Sequence, residues 1–98
     1  MDVSVIVSTY TKERLKDVER CIESLENQSR KPDEIILVLD PDEDLVKFYK
    51  ENIKNYDVII EVADDFGLSN ARNKGIDTSS GDLMAFIDDD AWADKDWL

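Results

Sequence analysis

Short apolar runs that alternate with helical segments are the feature that most restricts how this chain folds. The second run, residues 34–40, is apolar almost throughout, which indicates a strand covered on both faces, as in a parallel sheet. The four runs fall at residues 3–8, 34–40, 57–62 and 82–90. Strands that alternate with helices are typical of α/β proteins. The sequence therefore predicts an α/β fold with a parallel sheet.

Helical segments separate the predicted strands. Residues 12–27 place apolar side chains on one helical face, and Thr11 precedes them as a candidate N-cap. A second helix opens at Asp42, and Ser69 is expected to cap a short third helix. Residues 92–98 have the composition of the start of another helix. These segments supply the crossover connections that a parallel sheet requires.

Composition and charge limit the number of domains and the classes of partner. A chain of 98 residues with 42% hydrophobic content suits one globular domain, which we expect to span residues 1–98. The net charge of −12, without a basic stripe, disfavours nucleic acid and anionic membrane as partners. No signal peptide or membrane segment is visible, so we expect a cytoplasmic protein. The lone Cys21 is expected to pack and not to react.

The fourth apolar run stops at three adjacent acids, Asp88, Asp89 and Asp90. Two like charges about 4 Å apart repel by roughly 1 kcal/mol in water and about 4 kcal/mol at an effective dielectric of 20. Such a cluster needs full solvation, a shared proton or a hard divalent cation. A solvated acidic loop is the simplest of these alternatives.

Polar side chains also follow the other predicted strands. They are Ser8, Thr9 and Tyr10 after the first strand, Asp40 after the second, and Asp64 and Asp65 after the third. The carboxyl ends of parallel strands lie at one edge of the sheet, and ligands bind there at the point where the strand order reverses. The sequence therefore indicates a cation-assisted site for an anionic ligand at this edge.

Four segments together resemble family 2 of the nucleotide-sugar glycosyltransferases, which have the GT-A fold. The segments are VSVIVSTY (3–10), PDEIILVLD (32–40), GLSNARNKGI (67–76) and GDLMAFIDDD (81–90). They occur in the family's order and at its spacing over nearly the whole chain. The resemblance implies a Rossmann-like, three-layer GT-A fold, truncated here, that binds a UDP- or GDP-linked sugar for inverting transfer.

The resemblance also implies roles for individual residues. Asp88 and Asp90 match the Asp-x-Asp acids that hold Mn²⁺ or Mg²⁺ against the donor diphosphate, with Asp89 beside the nucleotide. Asp40 matches a position that contacts the base, and Arg72 matches an arginine near the nucleotide. Ser8, Thr9 and Tyr10 match the loop that lines the nucleoside.

Each implied role has a simpler structural alternative. Arg72 is equally consistent with a solvated side chain or with an ion pair to Asp64 or Asp65. Ser8 and Thr9 are also suited to capping the first helix, and Asp40 before a proline suits ordinary turn chemistry. Trp92 and Trp97 are expected to pack and not to stack on a sugar.

The chain departs from the family pattern in places. Thr11 stands where the family usually has Asn. The chain reads Leu39-Asp40-Pro41-Asp42 where the family usually has Asp-Asp-Gly-Ser, so only one acid of that pair remains. The family continues into an acceptor-binding half that supplies the catalytic base, so no catalytic residue is named and little transfer is expected from this polypeptide alone. Two alternatives are a non-catalytic nucleotide- or metal-binding module and a structural fragment. An exposed apolar edge would favour a homo-oligomer.

Overall fold

The computed structural model describes residues 2–89 and 91. Its elements in chain order are β1 (Val3–Thr9), a 3₁₀ turn (Lys12–Arg14), α1 (Leu15–Glu26), β2 (Glu34–Leu39), α2 (Glu43–Asn52), β3 (Ile59–Val62), α3 (Leu68–Thr78) and β4 (Leu83–Asp88). The predicted helix at residues 92–98, with Trp92 and Trp97, lies outside the described residues. The same holds for Asp90.

The four strands form one parallel sheet in the order β3-β2-β1-β4. The chain adds β2 and β3 on one side of β1 and then returns to place β4 on the other side. The strand order therefore reverses between β1 and β4, which is the switch point where open α/β sheets bind ligands. The predicted α/β fold with a parallel sheet is confirmed.

Helices cover both faces of the sheet and produce three layers. On one face, α1 and α2 pack on alternate residues of β1 and β2 in a core that contains Val5, Leu37 and Tyr49. On the other face, α3 packs against Ile6, and Ala71 belongs to a smaller cluster. Because β1 and β2 are covered on both sides, their apolar runs are continuous.

The boundaries of two predicted helices differ from expectation. Thr11 caps as predicted, with its hydroxyl accepting a hydrogen bond from the Glu13 backbone at 3.3 Å, but the capped turn is 3₁₀ and α1 begins only at Leu15. Ser69 does not cap α3. The N-cap is Gly67, which carries no side chain, has a φ of +106° and lets the chain turn into the helix two residues earlier.

Strand β3 is also shorter than predicted and begins at Ile59 instead of Asp57. The backbone N–H of Val58 donates to the carbonyl of Tyr56 at 3.0 Å, so this segment is still turning after α2. Among the described strands it pairs with β2 alone, and its Ile59 is 41% exposed. An edge position explains why the pattern of apolar residues overstates the strand's length.

No helix among the described residues is long and apolar enough to cross a membrane.

A hydrogen-bond network closes the amino-terminal edge of the sheet, opposite the predicted site. The Glu34 carboxylate accepts hydrogen bonds from the Ser4 hydroxyl at 2.5 Å and the Ser80 backbone N–H at 2.6 Å. Gly81 donates its N–H to the same Ser4 hydroxyl at 2.9 Å. These bonds, led by that from Ser4, lower the pKa of Glu34 below its ordinary value. Glu34 thus joins β1, β2 and the segment before β4.

The lowered pKa of Glu34 predicts a pH-dependent stability. Its contribution is complete above the unfolded pKa of about 4.3 and is lost as the pH falls through the lower folded pKa. We expect the free energy of unfolding of the wild-type chain to fall more steeply between about pH 4.5 and pH 3 than that of Glu34→Gln. Urea titrations at several pH values measure this, with Glu51→Gln on an exposed helical surface as control. Parallel curves for wild type and Glu34→Gln would contradict the assignment.

Candidate functional site

An open cavity of about 480 Å³ lies at the carboxyl-terminal edge of the sheet, around the switch point. Its lining residues are Ser8, Thr9, Tyr10, Arg14, Asp40, Gly67, Leu68, Ala71, Asp88 and Asp89. Six of the eight residues predicted for the site line this one cavity: Ser8, Thr9, Tyr10, Asp40, Asp88 and Asp89. The edge that the sequence indicated is therefore a concave surface, and the strand ends bring these side chains together.

The loop after β1 forms one wall of the cavity. Thr9 is buried in the strand end, whereas Tyr10 is 65% exposed, so its ring is available at the rim. Tyr49 of α2 donates its hydroxyl to the Thr11 carbonyl at 2.6 Å and so ties the loop to the core. Burial raises the pKa of Tyr49 and keeps this donor protonated. Because Thr11 caps the following turn, Ser8 and Thr9 are not needed as caps.

Asp89 is buried at the end of β4, so the alternative of a solvated acidic loop does not hold for this residue. The residue is 6% exposed, and its Oδ1 lies 2.8 Å from Nη1 of Arg14. Its Oδ2 is also buried and has no hydrogen-bond partner among the described residues. Since a buried carboxylate oxygen without a partner is costly, this atom marks a place where a ligand donor or cation would be favourable.

The backbone of Asp88 contacts Cys21 of α1. The Cys21 thiol lies 3.8 Å from the Asp88 carbonyl, a weak hydrogen bond to sulfur. Burial, followed by the charges of Asp89 and Asp88, raises the pKa of Cys21 to about 12. The predicted packing role of Cys21 is confirmed. Its contact involves only the backbone of Asp88, which is exposed and lines the cavity.

Asp40 lies at the end of β2 on the same edge. Its backbone carbonyl accepts a hydrogen bond from the N–H of Asp42 at 2.8 Å. The cap of α2 is Asp42, whose Oδ1 accepts from the N–H groups of Asp44 and Leu45. The turn therefore uses the Asp42 side chain and the backbone of Asp40, and Asp40 lines the cavity.

The amino terminus of α3 forms the opposite wall. Gly67, Leu68 and Ala71 line the cavity there, and no side chain in residues 2–89 caps the helix. The first N–H groups of a helix lack intrahelical partners and carry a partial positive charge. This end of α3 is consequently a favourable neighbour for a negatively charged group.

Arg72 lies outside the lining of this cavity. Its guanidinium carbon is 5.5 Å from the centre of the Phe86 ring, a cation–π contact on the α3 face of the sheet. Neither Asp64 nor Asp65, both in the described part of the chain, lies within 4.0 Å as an ion-pair partner. The role implied for Arg72 stays a prediction.

The described residues do not by themselves form a complete metal site. Among residues 2–89 and 91, no three carboxylate or thiol side chains are close enough together to hold a metal ion. Asp90, one of the two predicted ligands, lies outside that range. A divalent cation that shares its coordination with phosphate oxygens needs only one or two protein carboxylates. The donor types present here, carboxylate oxygens beside a buried unpartnered one, fit such a cation.

Arg14, Gly67, Leu68 and Ala71 are site residues that sequence reasoning did not single out. The last three belong to a segment that carries the family resemblance, which was a usable signal. Arg14 had none, because its partner Asp89 is 75 positions away in sequence. The position of Arg14, a few residues after the end of β1, indicates only that it lies near the carboxyl-terminal edge of the sheet.

Comparison with known proteins assigns the fold and the family. The model of Glycosyl transferase family 2 matches residues 4–98. The chain is similar to Staphylococcus aureus TarS in complex with UDP, with a TM-score of 0.75 and 26% identity over 98% of this chain and 29% of that one. TarS in complex with UDP-GlcNAc gives a TM-score of 0.74 at 26% identity over 97% of this chain and 28% of that one.

Curated relatives agree with this result. A glucosyl-dolichyl phosphate glucuronosyltransferase of Haloferax volcanii is 35% identical over 100% of this chain and 32% of its own length. A GalNAc(5)-diNAcBac-PP-undecaprenol beta-1,3-glucosyltransferase of Campylobacter jejuni is 34% identical over 90% of this chain and 29% of its own. The chain thus spans about a third of the length of these relatives. With a parallel sheet, a cavity at its switch point and a family match over residues 4–98, the chain is a GT-A-type domain that belongs to glycosyltransferase family 2.

Proposed function

We propose that this domain binds the nucleoside diphosphate of a UDP- or GDP-linked sugar in the cavity at the β1/β4 switch point, as the donor half of an inverting glycosyltransferase. The observation that carries the proposal is the gathering of six predicted site residues around one cavity. The similarity to TarS, whose solved complexes contain UDP and UDP-GlcNAc, supports the choice of ligand.

The two walls of the cavity suit the two parts of such a ligand. Tyr10, 65% exposed at the rim, offers an aromatic ring for a base, and Asp40 offers a carboxylate to base N–H groups. The uncapped amino terminus of α3 faces the same space and favours phosphate. We assign the nucleoside to the Ser8–Tyr10 and Asp40 side, and the diphosphate to the space between α3 and β4.

A divalent cation is the remaining requirement of this proposal. The acidic end of β4 would repel a diphosphate unless a positive charge lay between them. Asp88 and Asp90 are proposed to hold Mn²⁺ or Mg²⁺ there. When bound, the cation neutralises the charge that develops on the leaving nucleoside diphosphate. The protein's own part is to fix the acids at the strand end and to orient the sugar toward an acceptor.

Calorimetric titration tests the proposed function. We expect the purified chain to bind UDP or GDP when Mn²⁺ is present and to bind neither, or much more weakly, when the cation is removed with EDTA. Uridine and guanosine, which lack the diphosphate, are the matched controls and should bind weakly in both conditions. A folded chain that binds neither diphosphate with the cation would refute the proposal.

Self-association of the 98-residue chain is a further part of the proposal. Strand β4 is an outer strand of the sheet that the described residues form, and its Leu83, Met84 and Phe86 are 50%, 39% and 40% exposed. An open strand edge beside apolar side chains favours pairing with a second copy. We expect light scattering to show a dimer and Met84→Lys to shift it to monomer, whereas Ile59→Lys on β3 leaves it unchanged. A wild-type monomer at all concentrations would contradict this.

The expected cytoplasmic location stays a prediction.

A further inference from the structure

We infer that Arg14 is a positioning residue of the nucleotide cavity, acting through its ion pair with Asp89. The inference rests on the function proposed above and extends it to a residue outside the segments that carry the family resemblance. Arg14 belongs to the loop that follows β1, whereas Asp89 ends β4 on the other side of the switch point. Their contact therefore joins the two walls between which the ligand is proposed to bind.

The geometry of the pair favours a fixed arrangement. Nη1 of Arg14 lies 2.8 Å from Oδ1 of Asp89, and the side chains are 34% and 8% exposed. A carboxylate this well buried is stable as a charge only with a partner, and a charge-assisted hydrogen bond is short and directional. Losing Arg14 would remove the partner of Oδ1, while Oδ2 already has none among the described residues, so we expect Asp89 and the strand end to shift.

Arg14 also lies beside Tyr10. The guanidinium carbon is 6.0 Å from the centre of the Tyr10 ring, within the range of a cation–π contact. One side chain thus contacts the aromatic ring assigned to the base and the acid next to the proposed cation ligands. We conclude that Arg14 sets the distance between Tyr10, after β1, and Asp89, at the end of β4.

The orientation of Asp89 follows from this contact. With Oδ1 held by Arg14, the second oxygen, Oδ2, is buried and has no hydrogen-bond partner among the described residues. Arg14 would therefore hold the Asp89 carboxylate in one orientation at the end of β4. A role through Asp89 differs from direct binding of phosphate by Arg14, and the two can be separated by measurement.

A double-mutant cycle tests the inference. UDP affinity in saturating Mn²⁺ is measured by calorimetry for wild type, Arg14→Met, Asp89→Asn and the double variant. Methionine keeps the apolar stem and removes the guanidinium, and asparagine keeps the shape of the acid. We expect Arg14→Met to weaken binding by about tenfold or more. If Arg14 acts through Asp89, the double variant should lose no more than the weaker-binding single variant.

Two further variants control for charge and for folding. Lys16→Met removes one positive charge and keeps an apolar stem on the exposed surface of α1, and it should leave the affinity unchanged. Arg14→Lys keeps the charge but not the planar guanidinium, so it should recover part of the affinity that Arg14→Met loses. Thermal unfolding checks each variant, and Arg14→Gln replaces Arg14→Met in the cycle if the latter does not fold.

The outcomes separate this inference from the proposed function. The function and the inference are both supported if the wild type binds UDP, Arg14→Met weakens that binding about tenfold or more, and the double variant loses no further affinity. Wild-type binding with an unaffected Arg14→Met overturns the inference and leaves the function standing. Losses that add in the double variant also overturn it, because Arg14 would then act independently of Asp89. Absence of wild-type binding overturns the function and the inference with it.

Discussion

Replacing Asp88 and Asp90 together by alanine is expected to abolish cation-dependent binding of UDP or GDP, with a loss of about 100-fold or more in affinity. Hydrogen bonds and contacts to charged groups contribute about 1.5–3 kcal/mol each, and the double variant removes two charged groups. Calorimetry in Mn²⁺ measures the change. We expect the residual affinity to be the same with and without the cation, because the variant no longer holds it.

A matched double variant controls for the loss of two negative charges. Asp57→Ala with Asp77→Ala removes two exposed acids outside the cavity and should bind the nucleotide as the wild type does. Each single variant, Asp88→Ala and Asp90→Ala, should show a smaller loss. Unchanged, cation-dependent affinity in the Asp88/Asp90 double variant would show that the acidic strand end is not the cation site.

The second large effect is expected from Gly75, which lies in α3 against β1. A Cβ at this position would be 2.5 Å from Cγ2 of Ile6 and 3.0 Å from its Cδ1, and Ile6 is 1% exposed. We expect Gly75→Ala to lower the free energy of unfolding by about 1–3 kcal/mol through overpacking. This net loss is expected even though alanine is favoured over glycine in a helix by about 1 kcal/mol. Urea denaturation measures it.

A second substitution shows whether Ile6 is the cause. Ile6→Ala alone should cost about 2–5 kcal/mol through the cavity it leaves. In that background, Gly75→Ala should cost nothing or stabilise, because the clash has been removed. Asn73→Ala, at an exposed position of the same helix, is the control for helix propensity. A Gly75→Ala chain as stable as the wild type would contradict the close packing of α3 on β1.

Much of the fold was predictable because each core strand is marked by an apolar run in its own stretch of sequence. The run at residues 34–40 is apolar because both faces of β2 are covered, and this is visible in sequence. Spacing likewise predicted the α1 face formed by Val18, Ile22 and Leu25. The ends were less predictable. Gly67 is the N-cap of α3 because it adopts a positive φ. The hydroxyl of Ser69 suggested a cap in the sequence, but Ser69 lies inside the helix.

The sequence predicted which edge of the sheet carries the candidate site. It did not predict which side chains contact one another there. Parallel strands bring their carboxyl ends together, so residues after β1, β2 and β4 had to be neighbours. The burial of Asp89 and its pairing with Arg14 depend on side chains 75 positions apart, which no local pattern encodes. Arg72 illustrates the reverse case, since a position in a matching segment does not place its guanidinium in the cavity.

The most direct test of the central claim is an NMR map of where the nucleotide binds. Backbone amide shifts of the labelled chain are recorded with Mg²⁺ alone and then with Mg²⁺ and UDP, Mg²⁺ being diamagnetic. We expect the largest changes at Thr9, Tyr10, Leu68 and Asp89, around the cavity, and little change at Ser4 and Ser80 at the opposite edge. Changes centred on Ser4 and Ser80, with the cavity unaffected, would contradict the assignment of the site.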